Sequence, residues 1–129
     1  MRSSGKRSVC WIITLATAIF IFYMSSKTFP SGGGTGFLSY VYHFGVFFIL
    51  ALFLLLASSQ KRFNKEVFML AIVIAIIYGA LDELHQYFVP GRYCDYKDML
   101  LDAAGTLFAG VVYVGSLIVR RKIDKKIKR

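Results

Sequence analysis

Charge is scarce in this chain, and negative charge is scarcer still. Seven acidic residues stand against sixteen basic ones in 129, and charged residues make up only 18% of the whole. A soluble domain carries about 25%. That shortage, with 57% hydrophobic residues, excludes an ordinary soluble domain and leaves an integral membrane protein. Cysteine is almost missing: Cys10 and Cys94 offer no C-x-x-C metal spacing. They also fall near opposite membrane faces, which rules out an internal disulfide. The two prolines, Pro30 and Pro90, sit between apolar blocks and leave the blocks themselves unbroken. No Ala-x-Ala cleavage pattern follows the first block, so a retained span is expected there rather than a signal peptide. Three glycines, Gly32 to Gly34, lack the Lys-Ser/Thr of a phosphate loop and read as linker. The basic excess gathers at the ends of apolar blocks, not on an amphipathic surface, so no nucleic-acid partner is expected.

What remains is four long apolar blocks. The expected fold is all-α: a polytopic membrane protein, a compact bundle of four transmembrane helices forming a single domain over residues 1–129. The spans are placed at about residues 9–25, 37–57, 67–88 and 97–119, with a basic tail over 120–129. Four spans put thirteen basic residues on one side of the membrane and three (Lys27, Arg92 and Lys97) on the other. The positive-inside rule then places both termini in the cytoplasm of a multi-pass protein of the cell membrane, with the tail held by anionic lipid.

One polar stretch interrupts the third block. Asp82, Glu83, His85 and Gln86 fall within roughly 160° of a helix circumference, so they form a half-face and not a ring. Ionisable groups at the centre of a span cost about 2.5–3.5 kcal/mol each and normally face a bundle interior or an aqueous cavity. Counted by helix rise, Asp82 lies about 22 Å from the cytoplasmic end of its span, His43 about 21 Å and Asp102 about 27 Å. In a core of about 30 Å, residues of three different helices thus share the outer third. Asp95, Asp98 and Asp102 are spaced to lie on one face of the fourth helix, continued by Gly105 and Ala109 as a small-residue packing strip. Tyr40, Tyr42, Tyr87, Phe88, Tyr93 and Tyr96 occur at the same level, as an aromatic belt would.

Each candidate has a plainer account beside the chemical one. Asp82, Glu83, His85 and Gln86 can serve as a polar network locking helices together, and His43 as a hydrogen-bonded core histidine. Asp95 reads first as a helix N-cap, with Asp98 three residues on as in a capping box. Arg92 can pair with Asp95 or clamp a phosphate or carboxylate from outside. Asp98 and Asp102 stay open between structure and ligand binding. On the chemical account Glu83, His43 and Asp82 are the candidates for acid–base work, and His85, Gln86, Arg92, Asp98 and Asp102 for ligand binding. A divalent metal held by His and Asp side chains is a variant that the residue types alone leave undecided. No serine or cysteine nucleophile is expected in the cluster, which speaks against acyl-enzyme chemistry. The cytoplasmic half is nearly free of polar residues, which speaks against an ion pathway.

The run Asp82-Glu83-Leu84-His85-Gln86-Tyr87-Phe88-Val89-Pro90-Gly91-Arg92, with Asp98, Asp102 and Gly105 after it, resembles the signature of VanZ-like membrane proteins. His43, in His43-Phe44-Gly45-Val46-Phe47-Phe48, is similar to that family's earlier histidine. The likeness runs from about residue 20 to 110. Two positions depart from the pattern. Ser39 and Tyr40 stand where many members have Asp-Lys, and Ala109 replaces the second glycine of a Gly-x-x-x-Gly. The resemblance implies a small four-helix protein of a bacterial or archaeal envelope, associated with low-level resistance to the glycopeptide teicoplanin. Two functions are carried forward. One is an outward-facing polar pocket that binds a lipid headgroup or an envelope-active compound, with membrane lipids and a lipidated or glycopeptide ligand as partners. The other is an outer-leaflet hydrolase or transferase using the His/Asp/Glu cluster.

Overall fold

A computed structural model describes residues 2–28, 36–58 and 63–128. The glycine linker and the Lys61–Arg62 turn lie outside the described residues. All secondary structure described is helical: α1 (Arg2–Ser25), α2 (Phe37–Ser58), α3 (Lys65–Phe88) and α4 (Tyr96–Ile127). Each is long and apolar enough to cross a membrane, and the chain is a multi-pass membrane protein.

Helix ends follow local chemistry. Asn64 caps α3, its side-chain oxygen accepting the Val67 N–H at 3.0 Å, and Asp95 caps α4 by accepting from Lys97 N–H at 2.9 Å. Asp98 does not complete a capping box, because its carboxylate turns into the bundle instead. Arg7 Nε donates to the Ala57 carbonyl at 3.3 Å, satisfying one of the orphan acceptors at the end of α2. The fourth helix runs eight residues past the hydropathy boundary expected at 119. Hydropathy reports what suits lipid. The Lys- and Arg-rich continuation is still good helix former, and Lys125 and Lys126 favour the negative end of the helix dipole.

α2 is the hub. It packs on α1, α3 and α4, most extensively on α4, while α1 and α4 have no direct packing among the described residues. Three alanines, Ala51, Ala75 and Ala109, meet at mid-bundle and bring α2, α3 and α4 close. Below them Leu54, Leu55, Ala71, Ile72 and Tyr113 fill the end nearest the α2–α3 connection. Above them Ile21, Phe47 and Leu50 pack with Tyr78, whose hydroxyl donates to the Ala18 carbonyl at 2.6 Å and ties α3 to α1. Leu15, Ile19, Leu70, Ile77 and Val111 point outward and are exposed, as lipid-facing side chains are.

The chain leaves α3 by a tight turn over residues 89–92. The Arg92 N–H donates to the Val89 carbonyl at 3.1 Å, with Pro90 second and Gly91 third at φ 78°. That is the pattern of a type II turn, whose third position needs positive φ. Thr28 Oγ1 donates to the Pro90 carbonyl at 2.8 Å, docking the chain after α1 onto the turn. Gly91→Ala is expected to cost about 1–2 kcal/mol from the left-handed backbone, and its Cβ would also lie 2.8 Å from Thr28 Cγ2. Thermal unfolding in detergent checks this. Adding Thr28→Ser should recover the steric part and leave the backbone part.

Candidate functional site

The polar residues meet at one end of the bundle, where α1 and α3 finish and α2 and α4 begin. His43 and Asp102 each lie six residues inside their helices, about 9 Å, and Glu83 five residues from the end of α3, about 7.5 Å. Equal depth on helices of alternating direction brings them together. Packing does the rest: Gly105 on α4 has no Cβ because the Phe44 backbone of α2 occupies that space, which draws the turn bearing His43 against the turn bearing Asp102.

His43 is the centre. Its Nδ1 lies 2.9 Å from Asp102 Oδ1 and 4.0 Å from Glu83 Oε1, and its Nε2 lies 3.4 Å from Asp98 Oδ2. The Tyr42 ring meets the imidazole edge-on at 5.4 Å. Glu83 is oriented by its other oxygen, Oε2, which accepts the Asp95 backbone N–H at 3.0 Å. Asp102 Oδ2, Asp98 Oδ1 and the hydroxyls of Tyr42 and Thr106 are buried without a hydrogen-bond partner among the described residues.

A second group adjoins the first. The Ser25 hydroxyl, from the last residue of α1, donates to Asp82 Oδ1. Gln86 Nε2 donates to Asp82 Oδ2 at 3.0 Å and reaches Glu83 Oε1 at 3.4 Å, joining the two groups. Its carbonyl accepts from Arg92 Nη2 at 2.6 Å. The half-buried Arg92 is thus bonded to Gln86, and Asp95 Oδ1 caps α4.

Of the residues singled out in the sequence, His43, Asp82, Glu83, Gln86, Arg92, Asp98 and Asp102 come together. His85 does not. It sits at the margin of the polar half-face, 60° from Asp82 and 160° from Glu83, and turns to α1, with Nε2 3.0 Å from Ser26 Oγ and its ring 4.7 Å from Phe22. A serine that the sequence did not single out, Ser25, is buried against Asp82 as a hydrogen-bond donor. Ser25 was legible only by its level: it ends α1 where α3 carries Asp82. Tyr42 read as belt, yet it turns inward over His43 while Tyr40 stays exposed.

The side chains at the centre are buried: His43 is 2% exposed, Glu83 0% and Asp102 1%. Four carboxylates, Asp82, Glu83, Asp98 and Asp102, share this interior with the His43 imidazole, and the half-buried Arg92 reaches it through Gln86. Buried charge of one sign must be balanced, by protons or by a cation. His43, Glu83 and Asp102 each offer a ligand atom, and these lie within 4.8 Å of one another.

A model of the VanZ/LLP1 family matches residues 9–120. The chain belongs to the VanZ/LLP1 family. The matched stretch holds every residue of both groups, from Ser25 to Asp102, so the centre lies wholly within the family's domain. Among curated proteins and solved structures, none matches the chain.

Proposed function

We propose that this VanZ/LLP1 protein receives a lipid headgroup or an envelope-active compound at the outer face of the cell membrane, and so lowers the access of glycopeptides such as teicoplanin to their target. The observation that carries this is the chain of hydrogen bonds from Arg92 through Gln86 to Asp82 and Glu83, beneath a rim of exposed Tyr87, Phe88, Tyr93 and Tyr96. A guanidinium at such a rim suits a phosphate or carboxylate, and the aromatic rings suit the membrane interface. The charge distribution supports an outward rim, with thirteen basic residues at the opposite side. An anion taken up by Arg92 would compete with Gln86, so binding at the rim would be felt in the buried carboxylates.

A second reading rests on a different distance. His43 Nδ1 within 2.9 Å of Asp102 and 4.0 Å of Glu83 is an oriented imidazole with a carboxylate nearby, as general acid–base chemistry on a lipid-linked substrate needs. One comparison separates the two. Expressed at equal level in a susceptible host, Arg92→Gln and a Tyr93→Ala/Tyr96→Ala pair should return teicoplanin susceptibility to baseline, with Glu83→Gln retaining most of the protection. Loss with Glu83→Gln and His43→Ala, and none with Arg92→Gln, would discard the receptor in favour of the enzyme.

A further inference from the structure

We infer that His43, Glu83 and Asp102 form a binding site for one borderline transition-metal dication, with Zn²⁺ as the probe that suits the donor set. The inference goes beyond the receptor reading and does not rest on it.

The donors come from three helices and are all buried. One imidazole nitrogen with two carboxylate oxygens is a mixture that Zn²⁺ accepts, whereas Ca²⁺ and Mg²⁺ prefer oxygen alone. Zn–N and Zn–O bonds of about 2.0–2.2 Å put tetrahedral donors about 3.3 Å apart. Two separations bracket that value, 2.9 Å from His43 Nδ1 to Asp102 Oδ1 and 4.0 Å to Glu83 Oε1, and all three donors lie within 4.8 Å of one another. Side-chain adjustments of about an ångström would bring the donors to bonding distance.

What distinguishes this from a chance cluster is the surrounding support. A metal-bound histidine almost always gives its second ring N–H to a carboxylate, and ligating carboxylates are themselves held by hydrogen bonds. Here Nδ1 faces Glu83 and Asp102 while Nε2 faces Asp98 Oδ2 at 3.4 Å. Glu83 has its outer oxygen fixed by the Asp95 N–H, leaving Oε1 inward. Asp102 Oδ2 has no hydrogen-bond partner among the described residues although the residue is 1% exposed. Gly79 lets α3 pack closely on Asp102, since a Cβ there would stand 3.1 Å from Asp102 Cβ and 3.3 Å from Oδ2. A dication would neutralise Glu83 and Asp102 together, which an imidazolium alone does not. The competing account is a purely structural imidazolium bridging Asp98 and Asp102.

The test uses the full chain in detergent or nanodiscs, stripped with chelator and titrated with ZnCl₂. One zinc per chain is expected by elemental analysis, with a rise in unfolding temperature. Glu83→Gln and Asp102→Asn, nearly isosteric, should each weaken uptake more than tenfold, and Asp98→Asn should weaken it about 10–100-fold. Cys94→Ser should change nothing. X-ray absorption on the unmutated protein avoids any folding defect: nitrogen and oxygen neighbours near 2.0 Å with scattering from a single imidazole are expected, without sulfur near 2.3 Å. A sulfur neighbour, undiminished uptake by Glu83→Gln and Asp102→Asn, or no stoichiometric zinc at all would overturn the site. None of those results bears on whether Arg92→Gln restores teicoplanin susceptibility, so the two readings fail separately.

Discussion

Replacing Gly105 by alanine is expected to push α2 and α4 apart at the level of the centre. A Cβ at this position would overlap the Phe44 carbonyl oxygen and stand 3.1 Å from the Phe48 nitrogen. These are backbone atoms within a helix, so no rotamer change relieves the clash. Overpacking costs about 1–3 kcal/mol where side chains can yield, and this case should reach the top of that range or exceed it. Phe44 follows His43 directly, and Gly105 lies one turn after Asp102. Separation of the two backbones therefore acts on the 2.9 Å His43–Asp102 contact itself. Unfolding temperature in detergent is the measurement, with Gly115→Ala as control. A Cβ at Gly115 meets nothing within 4 Å, and in a helix interior it should stabilise by up to about 1 kcal/mol. Equal behaviour of the two variants would remove the close α2–α4 contact from the account. One turn further along, the Ala109 methyl packs against Ala51 and Ala75, which face it.

His43→Ala is expected to destabilise the protein by roughly 3–5 kcal/mol, the usual result of removing one partner of a buried ion pair. Asp102, Asp98 and Glu83 would be left facing one another with no imidazole between them. The magnitude decides between two states of the site. Hydrogen bonds between transmembrane helices average about 0.6 kcal/mol and reach about 1.7. A loss in that lower range means that His43 is a neutral hydrogen-bonding partner. A loss of 3 kcal/mol or more means that it balances charge. A double-mutant cycle with Asp102→Asn isolates the pair, and coupling above about 1 kcal/mol is expected for groups in contact. Additivity within about 0.5 kcal/mol would show that the contact carries little. Asp82→Asn should cost less than His43→Ala, because Asp82 is held by the uncharged donors Ser25 and Gln86 and an amide can keep part of that bonding.

Much of the architecture was legible from local rules. Hydropathy located four spans, the caps Asn64 and Asp95 obey ordinary N-cap chemistry, and Pro90-Gly91 marked the turn. Hydropathy did not report where α4 ends, because a charged helix beyond the lipid remains a helix. The site was legible in level and residue type but not in partnership. Asp82 and Glu83 are neighbours in sequence yet serve different partners, Ser25 and the His43 group respectively, because 100° of helix separates them. The same rotation carries His85 away to Ser26 and Phe22.

The sequence by itself determined that four helices cross, and that imidazole and carboxylates occur at one depth, because rise per residue and apolar length are properties of each segment alone. Only the tertiary structure decided which of those groups touch, that Ser25 and Tyr42 join them, and that the side chains at the centre are buried. Those outcomes depend on how each helix is rotated about its own axis. That rotation is set by contacts between helices, at Gly105 on Phe44 and at the three facing alanines, which no single stretch of sequence contains.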